Sequence, residues 1–392
     1  MPSRNATAPA AVRADYLPFG RPDFSEEEIA AVARVMRSGW VGMGPEVIAF
    51  EQELAAAIGA AEVISLNSCT SALHLSLVVS GIGPGDEVIC PSLTWCSTAN
   101  AALYAGARPV FCDVDPATLC LTPETVLRVL TPKTKAVMAV HFGGLAIDIT
   151  ALRAALPAQV VLIEDAAHAF GASYPDGRPV GSSGNPVCFS FYANKNLSTA
   201  EGGAIAIGDP AMAERLRSLR QHGLPANAWM RFAHPQMMPK HELVELGFKM
   251  NYTDLQAALG RVQLRRQPIF KARRLAIAER YAQALAPTKV KLQAHCLESA
   301  HARHLFVIQL PLESLGVSRD EFVLALRQRN IGASIHYAPL HQTEFYKPYS
   351  QASLPATEQI ARCILTLPIS ASMTAADADD VIAHSLELLA SS

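Results

Sequence analysis

The chain has 392 residues, half of them hydrophobic and only 17% charged, with a mean hydropathy of +0.18. That is enough apolar material for two domains, or one large domain with a smaller appendage. A net charge of −2 gives no electrostatic footing for nucleic acid or an anionic membrane, and no apolar run reaches the roughly 18 residues that a membrane span needs. The eight cysteines (Cys69, Cys90, Cys96, Cys112, Cys120, Cys188, Cys296, Cys363) include no C-x-x-C pair and lie mostly in apolar segments. They read as small buried hydrophobes in a reducing cytosol, with neither a metal site nor a disulfide framework. Residues 1–17 lack the compact apolar core of a signal peptide and read as a flexible tail, so the expected compartment is the cytoplasm.

In chain order, Ser25-Glu26-Glu27-Glu28 is a capping box that opens a helix through Met36, closed by Gly39. A glycine-punctuated loop, Trp40 to Pro45, leads to an amphipathic helix from Glu46 to about Ile58. Short apolar strands and helical patterns then alternate. Strands are expected at Val63–Leu66, Glu87–Cys90, Pro109–Phe111, Lys135–Val140 and Val160–Ile163. The intervening helices are expected at Ser71–Val79, Ser97–Ala105, Thr122–Leu130 and Ile149–Leu156. This alternation implies a mainly parallel sheet covered on both faces, with ligands gathered at the carboxyl ends of its strands. Further strands follow at Val187–Tyr192 and Ala204–Ile207. Thr253-Asp254-Leu255-Gln256 caps a long helix running towards Leu285, with Pro268 marking a kink or break. Beyond it, Leu305–Leu310 reads as strand, Ser318–Arg329 as helix, Ala333–Tyr337 as strand and Thr374–Leu389 as a terminal helix. The expected division is a large domain over 18–265, then a linking helix and small α+β domain over 266–392.

Four clusters fall at the carboxyl ends of expected strands. Asn67-Ser68-Cys69-Thr70-Ser71 opens a helix with small hydroxyl residues, and the free N–H groups there suit a phosphate dianion; a plain Ser/Thr N-cap has the same appearance. Trp95 in P-S-L-T-W-C is either a core tryptophan or an indole face for a flat heteroaromatic ring. Glu164-Asp165-Ala166-Ala167-His168 ends an apolar strand in two carboxylates and a histidine, and an acid at a buried mouth keeps a heterocyclic nitrogen protonated. In the fourth, Cys188 to Asn196, the strand delivers Ser190 and then Lys195 into a small uncharged turn. A lysine held that way loses its proton easily and attacks carbonyls, although taken alone it is an ordinary turn lysine. Together the clusters supply a phosphate cradle, a stacking face, an acid for a ring nitrogen and an amine for an aldehyde, which are the needs of pyridoxal 5'-phosphate.

At this point the chain resembles the DegT/StrS-type sugar aminotransferases, which are vitamin-B6-dependent and belong to the fold-type-I α/β superfamily. The resemblance rests on S-C-T-S-A-L at 68–73, G-D-E-V-I at 85–89, P-S-L-T-W-C-S-T-A-N at 91–100 and G-A-R-P-V-F-C-D-V-D at 106–115. It continues in E-D-A-A-H-A-F-G-A at 164–172, S-F-Y-A-N-K-N-L-S-T-A-E-G-G-A-I at 190–205, G-F-K-M-N-Y-T-D-L-Q-A-A-L-G at 247–260 and I-H-Y-A-P-L-H at 335–341. The resemblance implies that Lys195 forms a Schiff base with the cofactor, Asp165 pairs with the pyridine nitrogen and Trp95 stacks on the ring. It further implies that His168 lies near the ring's phenolic oxygen, while Thr70, Ser71 and Ser190 hold the phosphate. Relatives of this kind are homodimers with shared active sites. The 247–254 loop would reach the neighbour's phosphate with Lys249 or Asn251, in place of the commoner G-x-N-x-R pattern. Cys69 stands where glycine is common.

The implied reaction moves an amino group from L-glutamate to a nucleotide-linked ketosugar with ping-pong kinetics, and the resemblance leans towards UDP-linked 4-keto sugars. Trp40, Arg231, His336, Tyr337 and His341 are the candidates to contact the sugar nucleotide. Gln221–Leu246, which also carries His222, Trp229, His234 and Lys240, is a basic and aromatic stretch suited to a diphosphate, or else a solvated loop. A dinucleotide-binding reading of Gly81–Gly85 fails because that run follows a helix and precedes a strand. A dehydratase with histidine in place of lysine, or a non-catalytic cofactor-binding regulator, is disfavoured because Lys195 and Asp165 are both present.

Overall fold

The computed structural model describes residues 11–224, 243–350 and 353–390. Trp229, Arg231, His234 and Lys240 lie outside the described residues. In chain order come α1 (Glu26–Ser38), α2 (Pro45–Ile58), β1 (Glu62–Leu66), α3 (Cys69–Val79), β2 (Glu87–Pro91), α4 (Cys96–Tyr104) and β3 (Arg108–Cys112). Next are α5 (Pro123–Leu127), β4 (Thr134–Val140), α6 (Ile149–Ala155), β5 (Val161–Asp165), β6 (Val187–Ser190), β7 (Gly203–Ile207) and α7 (Pro210–Leu219). The chain then forms α8 (Asp254–Arg265), α9 (Gln267–Leu285), β8 (Lys291–Leu292) and β9 (Phe306–Gln309). It closes with α10 (Arg319–Gln328), α11 (Pro355–Cys363), β10 (Ile364–Leu367) and α12 (Ala375–Ala390).

Seven strands form one sheet in the order β1-β7-β6-β5-β4-β2-β3. Only β7 runs against its neighbours; the others pair in parallel or point the same way. Successive residues of each strand enter opposite cores. Val187 and Phe189 join Phe50, Phe191 and Leu162 on one face, while Cys188 joins Ile64, Ile163, Ile205 and Leu216 on the other. Burial on both faces explains why these strands read as continuous apolar runs. A second, antiparallel sheet, β10-β9-β8, has its own core of Tyr281, Phe306, Ile308, Phe322, Leu326, Leu365 and Val381. Pro268 does break the long helical pattern: α8 ends at Arg265, and the proline sits in the first turn of α9, where its missing N–H costs no hydrogen bond.

Three expectations change. Ala333–Tyr337 is not a strand: only Ser334 pairs, through an isolated bridge to Thr366, because the chain then leaves the small sheet and Leu340 N–H bonds Ser92 O at the large one. The described part of the N-terminal tail is tied down, with Arg13 paired to Asp377 and Leu17 bridged to Ile331. Helix α5 stops at Leu127 rather than Leu130. Helices α7 and α11 and strands β8 and β10 are further elements that the sequence reading did not assign.

Helix α1 is anchored through Glu28, 2% exposed. Its carboxylate accepts from Ser25 N at 2.8 Å, Gln263 Nε2 at 2.8 Å and Arg266 Nη1 at 2.7 Å. Burial alone would raise its pKa, but the hydrogen bonds from Ser25, Arg266 and Gln263 outweigh it and hold the group at about 2. Glu28→Gln is therefore expected to cost about 2 kcal/mol in urea unfolding at neutral pH. Because the folded pKa is depressed, the wild-type advantage is full above the unfolded value of about 4.3 and fades as pH falls towards 2. Equal stability of the two proteins at pH 7 would refute this.

Candidate active site

The parallel strands end along one edge, and the expected residues leave the sheet there. Across β7, Gly203 faces Leu66 of β1 on one side and Ser190 of β6 on the other. The loop to α3 and the turn carrying Lys195 thus start at the same level. A Cβ on Gly203 would come within 2.5 Å of Cys69 N, so glycine is what lets the α3 N-terminus sit this close to the sheet. Ser68 caps α3 by accepting from Ser71 N at 3.1 Å, Ser71 Oγ donates to Asn67 Oδ1 at 2.7 Å, and Thr70 Oγ1 donates to Ser97 Oγ at 2.9 Å. The first N–H groups of this helix have no intrahelical partner.

Asp165, the last residue of β5, is 5% exposed. Its Oδ2 accepts from Thr98 Oγ1 at 2.8 Å and its Oδ1 from Ala167 N at 3.1 Å; Thr98 is in turn bonded to Thr94 at 2.9 Å. Burial pushes its pKa up, against the hydrogen bonds from Thr98 and Ala167 and the nearby Lys195 charge. Among the described residues no cationic side chain pairs with it, and a carboxylate with two hydrogen bonds keeps acceptor capacity for one more charged donor. A protonated heterocyclic nitrogen fits that vacancy.

Lys195 is half-buried, and its Nζ lies 3.4 Å from His304 Nε2. Burial lowers its pKa to about 8, with Cys69 and Asp165 pulling the other way. His168 and His336 also face this amine: burial first, then the Lys195 charge, pushes His168 well down and His336 down to about 4. Both imidazoles are therefore neutral beside the lysine.

The His168 tautomer follows from its neighbours. Gly143 N–H donates to its Nδ1 at 3.4 Å, so the proton is on Nε2, which is 3.0 Å from Tyr337 Oη. Both ring nitrogens are engaged, and Tyr337 is left with the hydroxyl proton to offer. Trp95, the N-cap residue of α4, is 60% exposed with its ring 5.8 Å from that of Tyr337, so an indole face remains open at the mouth of the site.

Other candidates are placed differently. His341 has both nitrogens in use, Nδ1 on Ser92 Oγ at 2.6 Å and Nε2 on Glu358 at 3.4 Å; it pins the 338–342 loop to the end of β2. His336 bonds Thr366 Oγ1 at 2.8 Å and packs on Phe19. Trp40 sits at the α1–α2 turn, where its indole N–H donates to Met43 O at 3.1 Å. Lys249 bridges Gln221, and Asn251 bridges Leu66 beside the cradle. Arg231 lies outside the described residues. Thr98 and His304 were missed: Thr98 stands one turn after Thr94 in T-W-C-S-T, and His304 in the H-A-R-H run that enters β9 was the available signal.

A mostly parallel sheet with a low-pKa amine, a buried carboxylate and a helix N-terminus at its carboxyl edge defines a fold-type-I aminotransferase. The sequence model of the DegT/DnrJ/EryC1/StrS aminotransferase family matches residues 22–385. The chain belongs to that family, one of pyridoxal-phosphate-dependent sugar aminotransferases. It is 42% identical over 377 residues to the spore coat polysaccharide biosynthesis protein SpsC of Bacillus subtilis (strain 168), covering 94% of this chain and 96% of SpsC. Its fold superposes on the aminotransferase TlmJ from Streptoalloteichus hindustanus with a TM-score of 0.88 and 36% identity, covering 96% of this chain and 99% of TlmJ. The PLP form of Spr1654 from Streptococcus pneumoniae, described as a putative sugar aminotransferase, gives 0.86 and 30%, covering 95% and 100%. No helix among the described residues is long and apolar enough to cross a membrane.

Proposed function

We propose that this chain transfers an amino group from L-glutamate to a nucleotide-linked ketosugar, in two half-reactions on one site. The observation that carries the reading is the Lys195 amine, lowered to about 8 by burial, within electrostatic reach of the buried carboxylate of Asp165, which has no ion-pair partner among the described residues. Pyridoxal 5'-phosphate, when bound, supplies an aldehyde for the donor's nitrogen and a ring that takes up an electron pair.

The chain's own residues do the rest. Asp165, oriented by Thr98 and Ala167 N–H, holds the proton on the ring nitrogen. Trp95 covers one ring face. Ser71, Thr70, Ser190 and the N-terminus of α3 bind the phosphate. Lys195 moves the proton at the reacting carbon, since an amine titrating near 8 both takes up and releases protons at physiological pH. Tyr337, fed by His168 Nε2–H, offers its hydroxyl proton towards the same centre.

The sugar nucleotide is assigned to the side of the site lined by His336 and Tyr337. The names of SpsC and of Spr1654 support a sugar acceptor. The 4-keto, UDP-linked class is the narrower reading. We assign 18–265 to cofactor binding and 266–392 to the small domain, and we propose a cytoplasmic homodimer in which Lys249 or Asn251 serves the partner's phosphate.

Incubating the loaded protein with L-glutamate alone tests the first half. One 2-oxoglutarate per site, with bleaching of the cofactor's visible band, is expected; no keto acid would sink the reading and leave the dehydratase or the non-catalytic cofactor-binding regulator in its place. A panel of UDP-, dTDP- and GDP-linked ketosugars added to the amine form then identifies the acceptor by return of the band. Failure of all of them excludes a nucleotide-linked ketosugar of those classes.

A further inference from the structure

His304 is buried, 5% exposed, and its Nε2 is the only side-chain atom bonded to Lys195 Nζ among the described residues, at 3.4 Å. Its other nitrogen, Nδ1, is buried with no hydrogen-bond partner. Such a group is rare in folded proteins and calls for a reason beyond packing.

Three independent ties hold the backbone that carries the ring. Asn196, next to the lysine, donates from Nδ2 to Ala302 O at 2.8 Å. The Gly143–Gly144 turn after β4 accepts from Leu305 N at 3.1 Å and Ala302 N at 2.9 Å. A Cβ on Gly144, where φ is +111°, would meet Arg303 N at 2.9 Å, so that turn requires glycine. From α9, the buried Arg274 donates Nη1 to the carbonyls of Arg303 at 3.1 Å, His304 at 3.5 Å and Ile369 at 3.1 Å. The imidazole then lies 4.6 Å, centroid to centroid, from that of His168.

We propose that His304 is a positioning residue for Lys195: its neutral Nε2 accepts a hydrogen bond from the ε-amine, aims it, and keeps its charged form within reach. The ring stays neutral because burial, then the charges of Lys195 and Arg274, oppose its protonation. Lys195 is thus the donor and Nδ1 carries the imidazole proton. A neutral acceptor stabilises the ammonium over the free amine, so it limits the fall that burial imposes. Cys69, Asp165, His168, His304 and His336 are the titratable groups facing this amine. The catalytic meaning rests on the reading of Lys195 as the reactive amine; the titration itself does not.

The test is competitive acetylation of the full-length, cofactor-free chain by acetic anhydride across pH, followed by mass spectrometry of the Lys195 peptide. In the wild type the midpoint is expected near 8. His304→Phe is expected to move it down by about one unit, roughly a tenfold change in the charged-to-neutral ratio. His304→Gln, long enough to offer an acceptor, holds it near the wild-type value, and the other lysines stay put as internal standards. Should His304→Phe fail to fold, His304→Asn, too short to reach Nζ, takes its place against His304→Gln. An unmoved midpoint in the folded Phe or Asn variant overturns the proposal, as does an equal fall in the Gln variant. Neither outcome depends on whether the loaded enzyme transaminates.

Discussion

Lys195→Ala is expected to leave a folded protein whose turnover with glutamate and any acceptor falls by about 10⁴-fold or more, because in the proposed reading one side chain both anchors the cofactor and moves the proton. The substitution leaves the scaffold alone. The turn is held by Lys195 N to Tyr192 O at 2.9 Å and by Asn196 to Ala302 O, neither of which involves the lysine side chain. Borohydride reduction of the loaded wild type is expected to fix the cofactor on the peptide bearing residue 195, and on no peptide of the variant. Label on another lysine, or turnover at the wild-type rate, would reject the assignment.

Asp165→Asn is expected to cost on the order of 10³-fold in kcat, about three pKa units' worth of lost stabilisation of a protonated ring nitrogen. The amide is nearly isosteric and retains an oxygen for Thr98 Oγ1, so thermal stability serves as the control. Among the described residues the carboxylate is the acid expected to reach that nitrogen: Glu164, its neighbour, is turned into a separate buried cluster with His141 at 2.9 Å and Tyr174 at 2.6 Å. Measuring kcat for each half-reaction separately distinguishes the assignment, since both halves should fall together. A variant within tenfold of the wild type would show that the ring nitrogen takes its charge from elsewhere.

The neighbouring pair Glu164–Asp165 shows how far sequence reasoning reaches. An apolar strand ending in two carboxylates is legible as a site, and the strand's period of two says that they face opposite ways. Which of them enters the cleft depends on Thr98 and on the His141 network, which come from different strands and helices. His341 makes the same point from the other side. As a histidine in I-H-Y-A-P-L-H it suits a substrate pocket, yet Ser92, 249 residues away in sequence, takes up one ring nitrogen and Glu358 the other.

Local information determined the alternating strands and helices, the capping boxes of α1 and α8, the break at Pro268, and the four clusters at strand ends, since each depends on the period and chemistry of neighbouring residues. The tertiary structure alone decided which nitrogen of His168 is protonated and that Tyr337 holds the free hydroxyl. It also decided that Arg13 and Leu17 are docked and that His304 meets Lys195. Those facts depend on contacts between residues distant in sequence, from 25 positions for Gly143 and His168 to 364 for Arg13 and Asp377, whose directions are set by packing and carry no local signature in the chain.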